Sequence, residues 1–160
     1  LLETMARHWA DPDVRLVLLG GAGAADAEVS AAISELGLAD RVVRPGRVPA
    51  ADRDGLVALA DALVFPSEYE GFGAPVVEAM ALGTPVVASD RTALPDVVGD
   101  AGLVLPLDHE AWADVPAIVA SRRHELREAG RRRAATFTAA ASGSDLAAAY
   151  RRAVEDGETA

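Results

Sequence analysis

The chain has 160 residues and a mass of 16.5 kDa, the size of one domain, and its 51% hydrophobic content supports a single core and argues against disorder. Acidic side chains number 25 against 15 basic ones, a net charge of −10, so the field repels polyanions and excludes a general nucleic-acid or anionic-membrane binder. Every cation is an arginine and cysteine is absent, which excludes lysine chemistry within these residues (a Schiff base or a Walker-A lysine), disulfides, zinc–thiolate sites and thiol nucleophiles.

Leu1 to Ala10 has helical spacing, although no strand precedes it. Val14 to Leu19 reads as a buried strand, Gly20 to Ala24 as a turn, and Asp26 to Leu36 as a helix with apolar positions at Val29, Ile33 and Leu36. Arg41 to Arg44 is a second strand, closed by Pro45-Gly46. A helix at Asp52 to Ala60 leads to a strand at Ala62 to Phe65, and a helix at Ala74 to Leu82 to a strand at Pro85 to Ser89. A short helix at Leu94 to Val98 precedes the last strand, Gly102 to Leu105. This rhythm predicts an α/β fold, a Rossmann-like doubly wound parallel sheet with helices on both faces. Three helices follow, at Glu110 to Ala120, Arg122 to Phe137 and Leu146 to Val154. The looser stretch Ala139 to Ser144 is the expected break, separating a domain over 1–138 from a helix and tail over 139–160 that frays beyond Asp156. No apolar run approaches the ~18 residues of a membrane span. The longest, Leu16 to Ala25, is broken by Gly20, Gly21 and Gly23.

The chemistry concentrates between Pro66 and Met80, in the sequence Pro66-Ser67-Glu68-Tyr69-Glu70-Gly71-Phe72-Gly73-Ala74-Pro75-Val76-Val77-Glu78-Ala79-Met80. It lies after a strand and opens a helix, where open α/β sheets bind ligands. Gly71 and Gly73 permit a sharp turn and close backbone approach, and Pro75 suits the first helical turn. The unpaired amides there, with the helix dipole, favour phosphate. Glu78 is about one turn into that helix. A carboxylate repels a diphosphate, so Glu78 is suited to accept hydrogen bonds from neutral hydroxyls such as a ribose diol. Glu70, on the loop, faces another part of the same ligand.

These residues resemble the retaining glycosyltransferases of the GT-B fold, family 4 (group 1). Two glutamates separated by seven residues are that family's hallmark, which Glu70 and Glu78 match. The flanks carry the specificity: Pro66-Ser67, Gly71-Phe72-Gly73, Pro75, Glu78-Ala79-Met80, Gly83 to Ser89 and Leu94 to Gly99 follow the pattern in order, as do Gly20, Gly46-Arg47-Val48 and Ala60-Asp61-Ala62 upstream. The resemblance runs from about Leu1 to Phe137 and corresponds to the second, donor-nucleotide-binding domain. It implies that Glu78 binds the ribose, that Glu70 contacts hydroxyls of the donor sugar as the catalytic carboxylate, and that amides of Phe72, Gly73 and Ala74, beside Gly71, approach sugar and diphosphate. The backbone at Val48, with Arg53, would hold the base, and Gly20 would line the cleft. It implies no cofactor and no metal. The donor sugar nucleotide is the substrate, and transfer proceeds with retention by attack on the face the nucleotide leaves. The acceptor is a glycan or a lipid-linked sugar bound by an N-terminal domain. Leu94 to Ala101 is similar to mannosyltransferases of polysaccharide assembly, which suggests GDP-mannose and leaves UDP- and ADP-sugars open. A cytoplasmic location follows, with room for peripheral contact at the inner face of a membrane.

The family places an Arg and a Lys after the domain's first strand, and this chain has no Lys. The first strand, both cations and the first domain are therefore expected upstream of Leu1. In the order 3-2-1-4-5-6 that strand is central, so a gap is expected between the strands at Val14 and Ala62, with no turnover by these residues alone. Two alternatives are a sugar-nucleotide 2-epimerase of the same fold and a non-catalytic nucleotide-sugar-binding fragment.

Other motifs have plainer readings. Gly21-Ala22-Gly23 imitates a dinucleotide fingerprint, but Asp26 stands where a glycine belongs. Asp11-Pro12-Asp13 and Asp52-Arg53-Asp54 read as turn and cap residues. His8, His109 and His124 lack metal-ligand spacing, Arg122 to Arg133 form a solvated helix face, and Trp9, Trp112 and Tyr150 are packing anchors.

Overall fold

A computed structural model of the chain describes residues 1–157. Five strands and seven helices alternate: α1 (Leu2–His8), β1 (Leu16–Leu19), α2 (Asp26–Glu35), β2 (Val42–Gly46), α3 (Ala50–Leu59), β3 (Leu63–Phe65), α4 (Ala74–Leu82), β4 (Val86–Ser89), α5 (Leu94–Val98), β5 (Leu103–Leu105), α6 (Val115–Ala134) and α7 (Ala139–Gly157). All strand pairs are parallel. They fall into two sheets, β1-β2 and β3-β4-β5. The expected interruption thus lies between β1 and β3, which share no ladder among the described residues.

β4 is central in its sheet and buried along its whole length, as a parallel strand covered on both faces must be. It packs among Val76, Met80, Leu94 and Val98 of α4 and α5. The second core cluster crosses the interruption. Met5 and Trp9 at α1 join Leu16, Ile33 and Val42 on one side to Val87, Trp112 and Val119 on the other. The Trp9 indole donates to the Trp112 carbonyl at 3.1 Å, and the Trp112 indole to the Pro106 carbonyl at 2.7 Å. These two tryptophans are the expected anchors. Tyr150 is not, being 67% exposed on α7 with Leu146 and Val154. On β1 and β2, Val17, Leu19 and Val43 also remain exposed.

Four helical expectations are corrected. Residues 110–114 form turns, because the Asp108 carboxylate takes the amides of Glu110 and Ala111. α6 runs unbroken through Ser121 and Arg122, where Ser121 donates to the Ile118 carbonyl and Arg122 pairs with Glu125. Ala139 to Ser144 is no break: Thr138 accepts from the Ala141 amide and starts α7 there. The arginine face of α6 is only partly solvated, since Arg133 donates to the Val97 and Asp96 carbonyls and Arg123 pairs with Asp61. The fraying expected past Asp156 falls mainly on residues 158–160, outside the described residues.

Candidate functional site

Residues 66–73 connect the C-terminal end of β3 to α4. The helix begins where Gly73, at φ +90°, turns the chain, with Pro75 in its first turn. It ends at Gly83, φ +79°, where the Thr84 amide reaches the Ala79 carbonyl at 2.9 Å. Val76, Ala79 and Met80 face the core, so Glu78 projects outward on the half-exposed side.

Glu78 Oε2 lies 3.3 Å from the Arg53 guanidinium of α3. Arg53 also grips Asp54 through Nε and Nη2, at 3.0 and 2.8 Å. The hydrogen bond to Asp54, then the charges of Glu78 and Asp54, hold the Arg53 pKa above its ordinary value. It is a fixed cation beside Glu78 at every working pH. Two residues separated by 25 positions and chosen from sequence are thus brought together.

Glu70 is half-buried. Ser67 Oγ stands 2.9 Å from its Oε1, and its amide donates to Thr92 Oγ1 at 2.9 Å. Ser89 Oγ donates to the Ser67 carbonyl. The Glu70 loop is therefore held from the connection between β4 and α5. Phe72 packs edge-on against Phe137 with centroids 5.6 Å apart, and the Arg133 guanidinium lies over the Phe137 ring, 5.0 Å from its centroid. Gly73 is buried, while Gly71 and Ala74 are exposed.

Val48 is half-buried between Gly46, φ +76°, and Pro49, which precedes α3. Gly20, φ +139°, donates to the Gly46 carbonyl at 3.3 Å. It lines a cleft of about 480 Å³ with Gly21, Gly23, Asp26 and Arg44, and none of residues 70–78 takes part in that cleft. The predicted residues therefore occupy two places, one around Glu70 and Glu78 and one at the ends of β1 and β2. Sequence reasoning missed Thr92, which lies between the segments that it read, and it gave Ser89, the last residue of one of them, no part in the loop. Of the Asp-x-Asp triplets, the first makes a turn in which Asp11 accepts the Asp13 amide at 2.9 Å, and the second lies in α3. His109 meets Thr4 at 3.0 Å and Glu3 at 3.4 Å, a structural role.

Two parallel sheets, alternating helices and a glycine-containing acidic loop at the end of β3 define an α/β domain. The sequence matches the family "Glycosyl transferases group 1" over residues 1–137. It is 36% identical over 162 residues to the MMP alpha-(1->4)-mannosyltransferase of Mycolicibacterium hassiacum, covering 96% of this chain and 39% of that protein. It is 48% identical over 91 residues to the O-antigen chain mannosyltransferase B of Escherichia coli, covering 57% of this chain and 23% of that one. The fold matches Anabaena HepE, solved in complex with UDP-glucose, with a TM-score of 0.73 and 27% identity over 84% of this chain and 38% of that one. The chain belongs to the group 1 glycosyltransferases. It spans less than half the length of these relatives. Among the described residues no helix is long and apolar enough to cross a membrane.

Proposed function

We propose that these residues form the donor-binding half of a retaining glycosyltransferase, which moves a hexose from a nucleotide-diphosphate sugar to a glycan or lipid-linked acceptor. One observation carries the reading. A single loop–helix unit leaving β3 presents both Glu70 and Glu78, each already held in a defined environment by Ser67 and Arg53. Glu78 accepts hydrogen bonds from the ribose hydroxyls, and Arg53 and the Val48 backbone hold the base. The amides at the start of α4 meet the diphosphate. Glu70 contacts the hydroxyls of the sugar while its C1–phosphate bond breaks and the acceptor oxygen attacks from the same face. No cofactor or metal is assigned, so transfer by the longer enzyme survives chelation. Mannose is the sugar we propose, supported by the similarity to two mannosyltransferases. These 160 residues alone bind donor without transferring it.

The test is an amide NMR titration of the chain with GDP, UDP and ADP, with Glu78→Ala as control. The expected result is saturable shifts around Gly73 with one nucleotide, lost in the variant. A dispersed spectrum with no shifts refutes donor binding by this chain, and sugar transfer by the 160 residues refutes the inactivity.

A further inference from the structure

Thr92 is the sole non-glycine residue with positive φ among the described residues, at +49°. That conformation brings Cβ against the following carbonyl, and branching at Cβ aggravates the crowding. Glycine or asparagine would hold it with less strain. The neighbouring contacts show what keeps threonine there. Residues 90–93 connect β4 to α5 between two anchors, Ser89 and Leu94, both fully buried. The Asp90 amide is tied to the Leu105 carbonyl at 2.9 Å and the Leu94 amide to Arg91 at 3.1 Å. The turn is over-determined, as a strained residue requires. From it the Thr92 hydroxyl reaches across 22 positions to accept the Glu70 amide at 2.9 Å. Glycine would relieve the backbone and lose that bond.

We propose that Thr92 is a positioning residue. Its hydroxyl fixes the main chain of Glu70 while Ser89 fixes Ser67, and Ser67 in turn holds the Glu70 carboxylate. The carboxylate is thereby set before any donor arrives, and less of its freedom is lost on binding. The role rests on the reading of Glu70 as the sugar contact. It goes beyond that reading by assigning the order of the loop to a residue outside it.

The experiment uses the 160-residue chain with Thr92→Gly and Thr92→Ser. Two readouts are taken: hydrogen exchange of the Glu70 amide, and calorimetric affinities for GDP against GDP-mannose and UDP against UDP-glucose. Thr92→Gly removes the strain, so it folds and melts no lower than the parent. Its Glu70 amide exchanges about tenfold faster, and its preference for sugar nucleotide over bare nucleotide falls by roughly 3–10-fold, the worth of one hydrogen bond. Affinity for the bare nucleotide stays the same, and Thr92→Ser restores both readouts. A purely structural threonine would leave the preference for sugar nucleotide unchanged. Thr92→Gly with unchanged Glu70 exchange and unchanged sugar preference overturns the proposal while leaving donor binding intact. A parent chain that binds no nucleotide refutes the donor reading and the sugar role with it. A parent that binds nucleotide with no gain from the sugar overturns the positioning role alone.

Discussion

Gly71 and Gly73 look equivalent in sequence, but the structure separates them. Gly73 has φ +90°, and a Cβ built there would stand 2.7 Å from Leu94 Cδ2, a side chain with no exposed surface. Gly73→Ala therefore adds a left-handed penalty of about 1–2 kcal/mol and an overpacking penalty of about 1–3 kcal/mol. The total, about 2–5 kcal/mol, corresponds to a fall in melting temperature on the order of 10 °C for a chain of this size. Gly71 has no positive φ, and a Cβ there meets nothing within 4 Å. Gly71→Ala should change stability by less than about 0.5 kcal/mol. If the loop backbone approaches a donor, the same methyl group should still weaken nucleotide-sugar binding. Urea melts and a GDP-mannose titration of both variants test the pair. Equal destabilisation by the two substitutions, or a neutral Gly73→Ala, would refute the steric argument.

Two further outcomes are expected. Arg53→Ala should leave the melting temperature unchanged, because its ion pairs are half-exposed, while weakening nucleotide binding about tenfold; calorimetry at two salt concentrations checks this, and equal affinities would remove Arg53 from the site. Trp9→Ala should cost about 3–5 kcal/mol and release β1 and β2 first, since Trp9 belongs to the cluster spanning the interruption; hydrogen exchange that rises equally in all five strands would contradict that order.

The site's local architecture was legible because its signals are local. Pro75, the flanking glycines and the apolar positions Val76, Ala79 and Met80 at helical spacing define α4 to the residue. The other strands and helices around the site fall within two residues of expectation for the same reason. The failures come from side chains whose partners decide their role. The expected helices end at Ala120 and restart at Arg122, yet the Ser121 hydroxyl between them finds the Ile118 carbonyl and the helix continues. Thr138 looks like one more small residue and acts as a cap. The sign of φ at Thr92 is set by closure of the turn between two buried anchors, which no window of sequence contains. The resemblance implies that Arg53 serves the base, and its contact with Glu78 depends on how α3 lies against α4.

That contact matters because the two sheets share no strand pair. Two other links join them. On one side α1 inserts Met5 and Trp9 into the common cluster. On the other, α3 follows β2 and lies against α4, where Thr84 Oγ1 donates to the Val57 carbonyl at 2.7 Å and Arg53 meets Glu78. The Glu70 loop itself is braced by Thr92 and Ser89 of the three-stranded side and by Phe137, which follows α6. A ligand held by both the Val48 backbone and Glu78 would therefore straddle the α3–α4 link and bind the two sheets to each other. Such a ligand stabilises the linked state in proportion to its occupancy. It should protect the β1 and β2 amides more than those of β4, which are already buried within one sheet.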